Sequence, residues 1–314
     1  MTPAETLVDA LRAAGGRSLA AVVLFGSQLV RARPDAHSAW DLVVIVDDYG
    51  AFHRDLVRAG HHRRPAWLLS ALARVLPPSI TAFTPGEDAP LAKCAIVSLR
   101  RFAVALGPGA ADHFLKGRMV QRVELLWSRD DAARSAVEAA LSRARSDVLG
   151  WTAPHLPDTF DASEFARRML QISYAGELRP ESRDRVDQVF EAQREFLEEL
   201  YAEVLSRSAG EGGPLVSAGT GRFRLARTPR WTARLGLSLY FMRSKARATA
   251  RWLKHILTFN DWLTYIQRKV ERRTGMEIHI TPWERRLPLI LLWPKVIGVL
   301  RYRGDTPGAP ENGP

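Results

Sequence analysis

Three short apolar runs stand out in the first hundred residues. AAVVLFG (20–26), DLVVIV (41–46) and AKCAIVS (92–98) are rich in β-branched residues and bounded by polar or turn residues, the pattern of buried strands. Between the second and third, RPAWLLSALARVLPP predicts a helix that stops at Pro77-Pro78, and SITAF predicts a further strand. The opening MTPAETLVDALRAAGG predicts an amphipathic helix ended by Gly15-Gly16; it lacks the apolar stretch behind positive charge that marks a signal peptide. Helices alternating with strands predict an α/β layer over this region.

After about residue 125 the helical period takes over. DDAARSAVEAALSRARSDVLG sets Val137, Leu141, Ala144 and Val148 on one face, with Asp130 or Asp131 as its cap and Gly150 as its stop. DASEFARRMLQISYAG predicts a second helix beginning at Asp161 or Ser163. SRDRVDQVFEAQREFLEELYAEVLS predicts a third, unbroken, with a stripe of Val189, Phe196, Leu200 and Val204. The Gly- and Ser-rich stretch SRSAGEGGPLVSAGTG (206–221) predicts an exposed linker. The expected organisation is therefore an α/β domain over 1–125, an α-helical domain over 126–229, a basic aromatic segment over 230–303 and a flexible tail over 304–314.

Composition adds two constraints. The chain is 46% hydrophobic and 25% charged, values of a folded protein, and its lone Cys94 excludes an internal disulfide framework and a cysteine zinc site. The net charge of +11 is unevenly spread: residues 230–303 hold sixteen Lys or Arg against four acids, a local +12, which leaves about −1 on the rest. Five of the nine tryptophans (231, 252, 262, 283 and 293) fall in that same segment. Trp252, Ile256, Phe259, Leu263, Ile266 and Val270 form one helical stripe flanked by basic residues, the composition of an amphipathic helix lying on an anionic membrane surface. Trp252, Phe259, Trp262, Trp283 and Trp293 are the expected membrane contacts. LPLILLWPKVIGVL (287–300) is fourteen residues long, short of the ~20 that span a bilayer, so an interfacial position is expected. Its nearly continuous apolar character argues against nucleic acid as the partner.

Candidate chemistry lies in VVLFGSQLVRARPDAHSAWDLVVIVDD (22–48). Gly26 at a strand end lets backbone approach a ligand closely, and Ser27 adds a hydroxyl and an N–H, the makings of a phosphate cradle. Asp41 opens the next strand and would face the same place. A carboxylate facing a triphosphate implies a divalent cation between them, and Mg²⁺ is the cation that binds both. Gly-Ser, a spacer, then Asp opening a strand resembles the signature of the nucleotidyltransferase superfamily. The superfamily pattern has a second acid two residues earlier, where Ala39 stands here.

Five segments in register narrow the resemblance. FGSQLVRA, WDLVVIVDDYGAFH, LAKCAIVS, FLKGRMVQRV and ISYAGELR are similar, in that order, to segments of the mitochondrial-type phosphatidate cytidylyltransferases (translocator assembly and maintenance proteins), over about residues 20–205. That family also lacks the first of the two acids. The resemblance implies an α/β nucleotidyltransferase-fold domain, an α-helical domain and a C-terminal amphipathic membrane-binding segment. It implies CTP and phosphatidate as substrates, CDP-diacylglycerol and pyrophosphate as products, and Mg²⁺ as cofactor. Gly26 and Ser27 would hold nucleotide phosphates, Asp41 would bind the metal with Asp88 as candidate second ligand, and Lys93 and Arg118 would neutralise phosphate charge, Lys93 also acting in catalysis. Tyr174 and Arg179 could line the site, although packing roles also fit them. Two departures mark the chain as a distant, bacterial-type relative: the family's Gly-Ser-Gly is Gly-Ser-Gln, and its Lys-Tyr-Gly-Val is Lys-Cys-Ala-Ile. Alternatives are a nucleotidyltransferase with another phosphate or an RNA end as acceptor, and an inactive lipid- or nucleotide-binding module. The expected setting is cytoplasmic, peripheral on the inner membrane.

Overall fold

A computed structural model of the chain describes residues 2–30, 39–86, 89–176, 183–210 and 212–258, together with Thr281. The first helix, α1 (Pro3–Gly15), begins at a reciprocal cap in which Thr2 and Glu5 satisfy each other's backbone N–H, and ends at Gly16, as its sequence predicts. Four of the five strands of the main sheet are the predicted ones: β1 (Leu19–Phe25), β2 (Trp40–Val46), β3 (Ser79–Phe83) and β4 (Ala92–Ser98). The fifth, β5 (Glu124–Ser128), breaks the expectation that strands end near residue 125. Its order is β3-β4-β2-β1-β5, with β2 and β4 parallel and every other pair antiparallel.

β1 is buried along its whole length, because it is central and covered on both faces. Side chains alternate between the faces. Val22, Leu24, Leu42, Val44, Cys94 and Ile96 pack against α1 and α3 (Tyr49–Arg58), the latter capped by Asp48. Ala21, Val23, Val43, Ile45 and Val97 face the other way, onto α5 (Leu99–Leu106) and α7 (Asp131–Ser146). Between β1 and β2 lies the one-turn α2 (Ser27–Val30). The crossover from β2 to β4 carries α4 (Ala66–Val75), as predicted, and a cis Pro77–Pro78 bond. In its preceding loop His62 is buried.

The helical region contains short α6 (Lys116–Met119) and α8 (Leu149–Thr152), then α9 (Ala162–Ala175), α10 (Arg183–Glu191) and α11 (Arg194–Ser208). Val137, Leu141, Ala144 and Val148 are all buried, as their spacing predicts. The third predicted helix is two. It breaks at Ala192–Gln193, where the buried Gln193 side chain accepts from the Arg122 backbone N–H at 3.1 Å and donates to Gln121 at 3.1 Å. A side chain drawn into those bonds marks the break, and the buried face of α11 is Leu197, Tyr201, Val204 and Leu205.

Two expected boundaries are corrected. One continuous core joins Val23 and Ile45 of the sheet to Val137, Phe165, Phe190 and Tyr201 of the helices, so residue 125 does not separate two cores. The stretch expected as an exposed linker holds β6 (Leu215–Ser217), paired with β7 (Phe223–Leu225); Leu215 and Phe223 bury into that same core. Apolar side chains spaced to reach the core outweigh the Gly and Ser around them.

The last helix described, α12 (Trp231–Thr258), belongs to the same compact unit, which ends at Thr258. It docks through polar contacts. Ser244 accepts the His113 backbone N–H at 2.9 Å, and Arg247 and Arg251 reach the buried Asp112 at 2.9 and 2.6 Å. Lys254 donates to the carbonyls of Leu72 and Pro78. Part of the positive charge expected to meet lipid is thus turned inward, and the segment is not separate from residue 230 onward. Phe259, Trp262, Trp283 and Trp293, and the side chain of Trp252, lie outside the described residues, as do Asp88 and Arg179. Among the described residues no helix is long and apolar enough to cross a membrane.

Candidate functional site

β1 runs antiparallel to β2 and β2 parallel to β4, so the end of β1 meets the starts of the other two. In register, Phe25 lies opposite Asp41, and Asp41 opposite Lys93. The pleat puts all three side chains on the same face as Val23, Val43 and Val97, toward the helical region. There they open on a cleft of about 400 Å³ that also holds Gly26, Ser27, Arg118 and Tyr174. The structure thus brings together every described residue that the sequence nominates for nucleotide or metal. Tyr174 lines the cleft instead of serving only the core.

Gly26 has φ +83°, and a Cβ there would stand 2.7 Å from Asp41 Oδ2. The turn therefore requires glycine twice, for its left-handed backbone and for its approach to the carboxylate. Asp41 is half-buried in the cleft wall. Burial raises its pKa, opposed by the charges of Lys93 and Arg118. A desolvated carboxylate beside two cations, on a floor with no Cβ, suits a ligand that brings anionic oxygens.

Arg118 reaches the cleft from α6. That helix passes close to α9 because Gly117 has no side chain where Ser173 and His113 stand. Lys116, next to it, is buried against Asp147 at 2.6 Å and the Gly107 carbonyl at 3.1 Å, which pins the helix. Arg118 donates to the Phe114 carbonyl at 2.8 Å and lies 4.2 Å from the centre of the Phe114 ring. Arg251 of α12 lies 4.8 Å from the centre of that ring, so the docked helix also braces the cleft wall.

Phe114, Gln121, Arg122, Arg185 and Gln188 line the cleft without having been nominated. Arg122 follows Arg118 by four residues inside a motif already singled out. Arg185, Gln188, Val189 and Ala192 fall at the spacing of one helix face, a pattern in the sequence that only the fold aims at a ligand. Asp47 and Asp48 stay out of the site: Asp47 pairs with Arg129 and Asp48 caps α3.

Asp41 is the one carboxylate among the cleft's described residues, and those residues contain no group of three metal-ligating side chains. Mg²⁺ is commonly held by one or two carboxylates together with substrate phosphates. Asp41 fits that arrangement.

The sequence profile of the family described as mitochondrial phosphatidate cytidylyltransferase matches residues 95–215, a stretch that includes Arg118, Arg122, Tyr174 and Arg185. No curated protein matches the chain. A spectinomycin adenyltransferase of Enterococcus faecialis, solved with ATP and spectinomycin, aligns over 77% of this chain and 98% of its own, at 12% identity and a TM-score of 0.28. A likeness of that size carries no weight here. Over residues 95–215, the stretch that holds FLKGRMVQRV and ISYAGELR, the chain matches the phosphatidate cytidylyltransferase family.

Proposed function

We propose that the protein transfers a cytidylyl group from CTP to phosphatidate, forming CDP-diacylglycerol and pyrophosphate. The observation that carries this is the convergence of Gly26, Ser27, Asp41, Lys93 and Arg118 on one cleft, joined to the family match of the helices that close it. A phosphate oxygen of the lipid attacks the α-phosphorus of CTP in line, and the bond to pyrophosphate breaks. Lys93 and Arg118 bear on the triphosphate and offset the charge that builds on the leaving group. The close floor at Gly26 and Ser27 orients the chain of phosphates, and positioning of this kind supplies much of the rate in such transfers. Mg²⁺ held by Asp41, with Asp88 as the candidate second ligand, would neutralise charge on the nucleotide.

The setting we propose is peripheral, on an anionic membrane surface on the cytoplasmic side. In its support, α12 exposes Trp231, Leu235, Leu239 and Met242, spaced to form one stripe, and has no acidic residue along its length. Its docked residues Ser244, Arg251 and Lys254 occupy the opposite side of the helical wheel. An apolar outer stripe with Arg243 and Lys245 beside it suits contact with anionic lipid.

Pyrophosphate release from CTP in the presence of phosphatidate vesicles and Mg²⁺ tests the activity, with ATP, GTP and UTP run beside it. CTP- and phosphatidate-dependent release that Asp41→Asn lowers at least a hundredfold is the expected result. Release that is independent of phosphatidate, or absent with a folded protein, overturns the proposal.

A further inference from the structure

Among its described residues the cleft holds four cationic side chains, Lys93, Arg118, Arg122 and Arg185, and one carboxylate. They divide by position. Lys93 lies across the strand register from Asp41, and Arg118 sits on the helix that faces it. Arg122 and Arg185 stand instead where the end of α6 meets the break between α10 and α11 and on α10 itself. The cleft thus has one pair of cations at the carboxylate and a second pair on its helical wall.

The second pair belongs to a built wall. Arg122 follows α6, and its backbone N–H is held by Gln193, the residue at the break between α10 and α11. Arg185 projects from α10, whose cleft-facing positions 185, 188 and 189 read Arg, Gln, Val, with Ala192 just past its end. Arg185 also donates to Gln188 at 3.2 Å, which orients the guanidinium along that face. Of the three acids of α10, Asp187 and Glu191 pair with Arg167 of α9 at 2.7 and 3.1 Å, and Asp184 is exposed and does not line the cleft. The face left to the cleft is a cation, an amide and two small apolar side chains in succession.

This order has a chemical meaning. A transfer to a phosphate acceptor must bring a dianionic phosphomonoester against a tetra-anionic nucleotide. Charges that close repel strongly where water is thin, and cations reserved for the acceptor offset that repulsion. A guanidinium pair suits the oxygens of a phosphomonoester, and apolar positions one and two turns along suit a body that carries little charge.

We infer that Arg122 and Arg185 form an acceptor subsite for a phosphomonoester borne on an apolar body, with Val189 and Ala192 against that body. The inference rests on the cytidylyltransferase proposal for its place in the reaction, but the subsite can be tested by binding alone.

Calorimetry with the full-length protein measures binding of dioctanoyl phosphatidate, glycerol 3-phosphate and inorganic phosphate without nucleotide, and of CTP separately. The wild type is expected to bind the short-chain lipid at least tenfold more tightly than glycerol 3-phosphate. Arg122→Gln/Arg185→Gln is expected to weaken lipid binding at least tenfold while changing the CTP Kd less than twofold, and Arg185→Lys to recover part of the loss. In turnover, the same double variant should raise the KM for phosphatidate and leave that for CTP unchanged. Equal lipid binding by wild type and double variant overturns the subsite, as does no lipid binding by the wild type, equal affinity for glycerol 3-phosphate, or a loss confined to CTP. Lipid binding that depends on these arginines in a protein that releases no pyrophosphate sustains the subsite and overturns the cytidylyltransferase proposal instead. An unchanged melting temperature of the double variant verifies that the replacements leave the fold intact.

Discussion

Gly26→Ala separates the geometry of the site from the stability of the fold. At φ +83° an L-residue pays the left-handed penalty of about 1–2 kcal/mol. The new Cβ would also stand 2.7 Å from Asp41 Oδ2 and 3.3 Å from Asp41 Cβ, where ordinary contact begins at 3.4 Å. The carboxylate oxygen must therefore retreat by roughly 0.7 Å, because the Asp41 backbone is fixed on both sides by β1 and β4. A displacement approaching 1 Å at a reacting centre costs on the order of 10²-fold in rate. Gly60→Ala is the matched control, since Gly60 has φ +77° and nothing within 4 Å of a built Cβ. Both variants should lose about 1–2 kcal/mol in a urea titration. Only Gly26→Ala should lose turnover, measured as pyrophosphate release at saturating CTP. If Gly26→Ala keeps a tenth of the wild-type rate, or if Gly60→Ala loses as much, the close approach to Asp41 is not what the site depends on.

Arg251→Met tests the docking of α12: with Asp112 still paired to Arg247, the loss in denaturant titration should be about 3 kcal/mol, the lower end for a broken buried pair, and a loss under 1 kcal/mol would show the pair to be incidental. Acid should destabilise the protein through buried histidines. Burial lowers the pKa of His53 to about 4 and of His113 to about 3, so stability is fully present above the unfolded value near 6.5 and drains as pH falls toward those values. Between pH 7 and 5 each should cost about 2 kcal/mol, and a denaturation midpoint flat over that range would refute it. For the membrane, Trp231→Ser, Leu235→Ser, Leu239→Ser and Met242→Ser together should reduce flotation with anionic vesicles in high salt, where basic contacts are screened and apolar burial is not; unchanged flotation would remove the α12 stripe from the interface. Truncation to test the tail belongs after Thr258, since a cut at Pro229 strips Asp112 of both its arginines.

Much of the α/β layer was legible in sequence because buried strands and capped helices are local patterns. The runs at 20–26, 41–46, 79–83 and 92–98 are strands within a residue of their expected ends. Gly26, Ser27 and Asp41 declared themselves by residue type at a turn and a strand start. The missed strands were those whose reason lies elsewhere in the chain. Glu124–Ser128 is a strand because β1 needs a second neighbour, and Leu215 pairs with Leu225 because both have a core to enter. Local composition contains neither fact.

The site divides in the same way. Residue chemistry nominated Asp41, and the family resemblance added Lys93 and Arg118, but their meeting depends on a parallel pairing of β2 with β4 and on a glycine that lets α6 pass close to α9. The charge on the last segment was plain from the sequence; its direction was not. A helix rich in Arg and Lys reads as a polyanion-binding surface when counted. Folding turns Arg247, Arg251 and Lys254 inward to Asp112 and to the carbonyls of Leu72 and Pro78. Buried cations require partners, and those partners lie about 140 to 180 residues earlier in the chain. Sequence determined which residues could do chemistry and which stretches had to be helix or strand. Only tertiary structure decided which of them share a cleft, because contacts over such distances are set by the packing of the whole core.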